Sequence, residues 1–271
     1  MQGKTKIGVI GLGRLGSALV RGLRRSSSMK STSVSATVRS PKRARELSRK
    51  LGISVGTDNR ALVGASNILI LAVKPYQAEK LLKEIAPKLK SSQILISVCA
   101  SITHSQLKKW ARSKPSIIRA MPNLPCLIGE GITAIALSSH SKRSEKEIAE
   151  KIFGSLGKTL ILDESLFDAV TALSACGPAF IFTIIESLIE AGVRVGIPRD
   201  ASRELVLRTM VGSGLMVEQT RLHPAELKDQ VTTPAGCTTE GLQALEEGRL
   251  RATILKAIVA STKRSAALRK K

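Results

Sequence analysis

Apolar residues recur along the first 162 positions in two alternating periods. Short β-rich runs predict strands at Ile7 to Ile10, Val34 to Val38, Ile68 to Val73, Ile94 to Val98 and Ile117 to Met121. Between them, Arg14 to Arg25, Pro41 to Leu51, Gln77 to Leu89 and His104 to Ala111 have helical spacing, and several open on Pro or Ser/Thr and close near Gly or Pro. Strand and helix in strict alternation imply right-handed βαβ crossovers and a parallel sheet covered on both faces. From about Asp163 the pattern becomes wholly helical. Phe180 to Val195, Arg199 to Glu218, Cys237 to Glu247 and Arg249 to Leu268 carry apolar faces too broad for a small monomer to cover. The expectation is an α/β chain, with a doubly wound sheet domain over 1–162 followed by an all-α domain over 163–271.

Composition agrees with two cores. The chain has 271 residues, 43% of them hydrophobic and 24% charged, which excludes a disordered or fibrous protein. The apolar run Ile7 to Gly13 is short, glycine-rich and followed by Arg14, so it reads as a strand and turn rather than a leader. The uncharged stretch between Asp168 and Glu186 is interrupted by Gly177-Pro178 and falls short of the roughly 20 residues a membrane helix needs. It predicts a buried interface helix and no membrane partner.

Cys99, Cys126, Cys176 and Cys237 form no C-x-x-C pair, and His104, His140 and His223 stand isolated, so reduced thiols of a cytoplasmic protein and no metal site are expected. The net charge of +22 raises the question of nucleic acid, but the basic residues are spread along the chain and aromatic residues amount to 2%. With so few aromatic side chains for bases to stack on, a nucleic-acid partner is not expected. Two basic concentrations remain, Arg39 to Lys50 and the tail Lys263-Arg264 with Arg269-Lys270-Lys271, of which the tail reads as a solvated end.

The first crossover contains Gly11-Leu12-Gly13-Arg14-Leu15-Gly16, a G-x-G-x-x-G immediately after a strand and at the start of a helix. In that position glycines permit a tight turn, close backbone approach to a pyrophosphate and close helix packing, while free N–H groups and the helix dipole attract the anion. This is a Rossmann-type dinucleotide signal, with a purely structural turn as the alternative. The second strand ends in Val38-Arg39-Ser40-Pro41-Lys42-Arg43, where an NAD-selecting domain places an acid. Arg39 offers a planar fork of donors, Ser40 a hydroxyl and Arg43 further charge, all suited to a 2′-phosphate. The reading is NADPH, with NADH as a weaker cofactor; a solvated basic helix start is the other account of these residues.

Further segments carry a resemblance to the pyrroline-5-carboxylate reductase family. They are Ala72-Val73-Lys74-Pro75 with Arg119-Ala-Met121-Pro122-Asn123, the run Glu164 to Phe180 containing Gly177-Pro178-Ala179, and His223 to Glu246 centred on Thr233-Pro-Ala-Gly236-Cys237-Thr238-Thr239. Ala175, Cys176, Ala235 and Cys237 depart from the commonest family residues. The resemblance implies that Ala72, Val73, Lys74, Pro75, Ala100 and Asn123 line the cofactor cleft, that Asn59 lies near the adenosine, and that Gln230 joins the cofactor set. It also implies a substrate set of Glu164, Thr233, Gly236, Cys237 and Thr238, with Thr238 the candidate to hydrogen-bond the imine nitrogen, and a helical domain that pairs with its twin in at least a homodimer.

Reduction of a small cyclic imine carboxylate asks little of side chains, because the protonated imine is itself a strong hydride acceptor. What must be held is the carboxylate. The helix opening at Thr233 to Thr239 offers free backbone N–H groups and hydroxyls for it, with a helix cap as the alternative role of Thr238. Glu164, a single carboxylate at a helix start, has a dipole-partner alternative. The competing functions are a related imine or ketoacid reductase, and a non-catalytic NADPH-binding regulatory module.

Overall fold

Eight strands in the order β3-β2-β1-β4-β5-β6-β7-β8 form one sheet in the computed structural model, which describes residues 5–138 and 141–269. His140 and the Lys270-Lys271 end of the basic tail lie outside the described residues. In chain order the sheet half comprises β1 (Lys6–Ile10), α1 (Arg14–Arg25), β2 (Ser33–Thr37), α2 (Pro41–Leu51), β3 (Ser54–Gly56), α3 (Asn59–Ala65), β4 (Ile68–Leu71), α4 (Pro75–Ile85), β5 (Ile94–Ser97), α5 (His104–Trp110), β6 (Ser116–Pro122), β7 (Gly131–Leu137), α6 (Arg143–Gly154) and β8 (Gly157–Ile161).

β1 to β6 are parallel, as strict alternation predicts. β7 departs from it and runs antiparallel to β6. The link between them holds only a 3-10 turn, Leu124–Leu127, and Gly129 at φ 91, too short for the crossover a parallel pair requires. β8 returns parallel to β7 through α6.

Alternation within the strands divides the core. Ile7, Val9, Ile70 and Ile96 face α1, α2 and α6 through Leu19, Leu23, Leu47, Leu51, Ile152 and Phe153. Leu69, Leu71 and Leu95 face α3, α4 and α5 through Leu62, Leu82, Ile85 and Leu107. Nearly continuous apolar strands are what a sheet covered on both faces requires.

By its contacts the chain divides into two units, one reaching to Cys176 and including the C-terminal stretch from Ser261, the other Gly177–Ala260. The first unit therefore includes a 3-10 turn at Glu164–Leu166, α7 (Phe167–Val170) and a π-turn at Thr171–Ala175. Phe167 is buried against Met121, Ala134 and Ala136, which fastens this segment to the far end of the sheet. Asp168 accepts from the Ser265 hydroxyl at 2.8 Å and pairs with Arg269 at 3.0 Å.

The second unit contains α8 (Gly177–Arg194), α9 (Arg199–Thr220), α10 (Pro224–Gln230), α11 (Cys237–Glu247) and most of α12 (Leu250–Arg269). Gly192 of α8 leaves room for Ser202 of α9, whose hydroxyl donates to the Ile189 carbonyl at 2.9 Å. Arg199 and Glu190 join the same two helices at 2.6 and 3.2 Å. Ser202 is the one buried residue among those described in this unit. Phe182, Leu205, Val211, Met216 and Leu255 are all at least half exposed. The helical run Glu164–Arg194, with a bend at Cys176, is by length and composition apolar enough to cross a membrane, longer than the sequence stretch suggested.

Candidate active site

The cofactor candidates of the first unit follow the C-terminal ends of six neighbouring strands. β3 leads to Asn59, β2 to Arg39 and Ser40, β1 to Gly11–Gly16, β4 to Ala72–Pro75, β5 to Ala100 and β6 to Asn123. This is the edge at which ligands bind in open α/β sheets.

The three glycines have three different reasons. Gly11 has φ 98, and a Cβ there would stand 2.7 Å from the Ala72 carbonyl, while its N–H donates to the Thr37 carbonyl at 3.0 Å. Gly16, on the first turn of α1, faces the Gly11 carbonyl so closely that a Cβ would lie 2.1 Å from it. Gly13 is the N-cap, with no side-chain cap and open space where its Cβ would be. Among the described residues α1 thus opens with no side-chain cap and no acidic residue in its first turn, and Leu12, Arg14 and Leu15 complete that turn. These residues fit a dinucleotide pyrophosphate.

At the end of β2, Arg39 is exposed, and no ion pair to it is formed among the described residues. Ser40 caps α2, accepting from the Arg43 N–H at 3.4 Å. Arg43 is drawn back along α2 by Glu46, at 3.0 and 3.1 Å, so its charge is already partly answered. Asn59, the first residue of α3, accepts from the buried Thr37 hydroxyl at 2.7 Å, which fixes the carboxamide beside β2. Lys74 is exposed at the N-cap of α4, with Pro75 at the first helical position, where a missing N–H costs nothing. Asn123 uses its carbonyl to accept from the Ile132 N–H at 3.0 Å.

Two of these loops are tied together. The Cys99 thiol donates to the Val73 carbonyl at 3.3 Å; burial pushes that thiol up to about 11, against hydrogen bonds that pull the other way. It is a structural sulfur.

Glu164 lies in the first unit in a group that sequence reasoning did not assemble. Its Oε1 accepts from the His104 backbone N–H at 2.6 Å and from Arg119 at 2.7 Å, and lies 3.2 Å from His104 Nδ1. Burial alone would raise the Glu164 carboxyl, but the hydrogen bonds from His104 and Arg119 outweigh it and hold the group at about 2. Burial likewise lowers the Arg119 guanidinium and Glu164 opposes it. The charge on Glu164 therefore stabilises the fold above the ordinary carboxylate range, and that contribution is lost as pH falls toward 2. Arg119 is buried and stacks on Phe167, 4.7 Å from the ring centre. The available sequence signal was the charge itself, one arginine inside the apolar run Ile117 to Met121. His223 caps α10 by accepting from the Ala225 N–H at 3.2 Å.

In the second unit, Ala235 takes the left-handed conformation at φ 57 and Gly236 is the N-cap of α11 without a side-chain cap. A Cβ on Gly236 would stand 2.3 Å from the Thr233 hydroxyl. Thr238 is half-buried in the first turn and is not the cap. Thr239 is committed to the loop, its hydroxyl donating to the Thr233 carbonyl at 3.0 Å. Thr233 and Cys237 are exposed beside this uncapped helix start, and Gln230 is exposed at the end of α10.

A family model described as pyrroline-5-carboxylate reductase dimerisation matches residues 164–268, and one described as NADP oxidoreductase, coenzyme F420-dependent, matches residues 6–101. A pyrroline-5-carboxylate reductase of Arabidopsis thaliana is 37% identical over 96% of this chain and 94% of its own length. One of Methanosarcina acetivorans is 36% identical over 98% of each. Among solved structures, a Plasmodium falciparum pyrroline carboxylate reductase with NADP bound superposes with a TM-score of 0.89 at 34% identity, covering 99% of both chains.

Proposed function

Because the chain belongs to the pyrroline-5-carboxylate reductase family, we propose that it reduces the C=N bond of 1-pyrroline-5-carboxylate with NADPH, giving L-proline as the last step of proline biosynthesis. Identity to such reductases over nearly the full length carries this reading. Neither a ketoacid reductase nor a non-catalytic NADPH-binding module is favoured.

When bound, NADPH supplies the hydride that goes to the imine carbon. The sheet half, over roughly 1–162, contributes the cofactor side. The N–H groups at the start of α1 hold the pyrophosphate, Arg39 and Ser40 answer the 2′-phosphate, and Asn59 faces the adenosine. Ala72 to Pro75, Ala100 and Asn123 border the nicotinamide half, and Gln230 joins the set. The helical part, over roughly 163–271, contributes Thr233, Gly236, Cys237 and Thr238. The uncapped start of α11 supports a carboxylate cradle, since exposed helical N–H groups lacking a cap favour an anion. Thr238 is the residue proposed to bond the imine nitrogen and help keep its proton in place. Its freedom from capping duty supports that role.

NADPH oxidation should follow addition of the five-membered imine. Turnover of ketoacids or of the six-membered imine in its place would refute the substrate assignment. Thr238→Ala should leave NADPH affinity nearly intact while costing several-fold to tenfold in kcat/KM for the imine, since a neutral hydrogen bond contributes about 0.5–1.5 kcal/mol. Thr238→Ser should recover much of it. Wild-type kinetics in Thr238→Ala would leave the backbone N–H groups as the whole site.

The enzyme is a homo-oligomer, and its helical unit explains why. With Ser202 alone buried among its described residues, this unit has no core of its own, and large exposed apolar surfaces mark association. Light scattering at micromolar concentration should show at least a dimer; a stable, active monomer would contradict it. We read the apolar run Glu164–Arg194 as part of that dimer surface rather than a membrane span, and place the enzyme in the cytoplasm, as four free thiols suit. No nucleic-acid partner is proposed.

A further inference from the structure

Arg119 is the one charged side chain among the described residues that is buried. Burying a guanidinium against a half-buried carboxylate contributes little to stability that apolar side chains could not match. The group also leaves His104 Nε2 buried with no hydrogen-bond partner. Such an arrangement is stabilising only in part, and what it does supply is direction.

The direction is set by where Glu164 takes its donors. One is Arg119, in the middle of β6 and held from below by the Phe167 ring. The other is the backbone N–H of His104, the first residue of α5. The residues before it, 98–103, carry the chain from the end of β5 past Ala100 to α5. They include Ser101 at φ 60, a conformation that a residue with a Cβ keeps only when its surroundings impose it. The upstream end of this loop is held by Cys99, bonded to the Val73 carbonyl and to the Ser97 hydroxyl. The downstream end is held by the Thr103 and Gln106 capping box and by Glu164.

We propose that Glu164 is a positioning residue: clasped by buried Arg119, it acts through His104 to hold the 98–103 loop, and with it Ala100, against the nicotinamide half of the cofactor. This rests on the cofactor reading of Ala100 given above. It assigns Glu164 to the geometry of the cofactor cleft instead of direct contact with the imine. It also accounts for the arginine in β6, whose charge fixes a carboxylate from 45 residues further along the chain.

The test compares two ligands on the full-length protein without turnover. NADPH reports on the whole cleft, whereas adenosine 2′,5′-bisphosphate lacks the nicotinamide half. Glu164→Ala should weaken NADPH about tenfold, as loss of charge-assisted bonds predicts, and leave the bisphosphate within twofold of wild type. Glu164→Gln, which keeps an acceptor oxygen for His104, should show the same selectivity with a smaller loss, and it serves if the alanine variant does not fold. Equal weakening of both ligands would overturn the proposal in favour of general structural support. An unchanged NADPH affinity with a raised KM for the imine would overturn it in favour of direct substrate contact. Failure of the wild type to reduce the imine would instead remove the functional reading, and it would do so without altering the binding comparison.

Discussion

Gly16→Val is expected to lose NADPH binding by about a hundredfold or more. A Cβ at Gly16 would lie 2.1 Å from the Gly11 carbonyl and 3.5 Å from the Ala72 side chain, and both neighbours are parts of the frame rather than flexible ends. The helix must therefore move away from β1. Overpacking of this kind costs about 1–3 kcal/mol in stability. The larger loss comes from displacing the N–H groups that face the pyrophosphate, because these act only when aimed. Fluorescence titration with NADPH would measure binding, and a thermal melt would show how much of the effect is folding. Gly13→Ala provides the contrast, with open space at its Cβ and φ −74. It should melt like the wild type and lose affinity alone. If Gly16→Val bound NADPH within threefold of wild type, the close packing of α1 on β1 would have no part in the site.

Arg39→Asp should invert cofactor choice. A charge-assisted hydrogen bond contributes about 1.5–3 kcal/mol, so removing it costs roughly ten- to a hundredfold in NADPH affinity, and the new carboxylate repels the 2′-phosphate as well. NADH, with a hydroxyl at that position, should bind as well as before or better. The size of the effect depends on there being no substitute. Arg43 is engaged by Glu46, and Ser40 is occupied as the α2 cap. Steady-state KM values for both cofactors decide the matter, and an equal loss for each would show that Arg39 does not read the phosphate.

The strands and helices that lay out the cofactor edge were legible because each is a local pattern. Ile7 to Ile10 before Gly11, or Ala72 to Pro75 after an apolar run, can be read within a dozen residues. β3 was not legible, since Ser54–Gly56 offers only Val55 as an apolar residue. β7 is apolar enough to be seen, but periodicity carries no direction, and its antiparallel pairing is decided by the length of the link before it. The Thr233 to Thr239 loop was readable as a helix start. That Ala235 would adopt a left-handed turn, and that Thr239 rather than Thr238 would brace the loop, depends on backbone geometry that the alanine conceals. The Arg119, Glu164 and His104 group was out of reach for a different reason: its members come from β6, α5 and the segment after β8, and only the assembled sheet makes them neighbours.

The bonds from Asp168 to Ser265 and Arg269 bear on the order in which this protein is made. A chain folds as it leaves the ribosome, earlier segments first, and the strands through β8 emerge long before these two residues do. The sheet half can collapse around its core at that stage, yet Asp168 stays without Ser265 and Arg269 until the whole helical unit has been synthesised. Completion of the first unit is thereby tied to synthesis of the second. A premature stop codon shortly before Ser265 would spare every strand and all the glycines of the α1 turn, and it would still release a polypeptide whose sheet half lacks its final fastening.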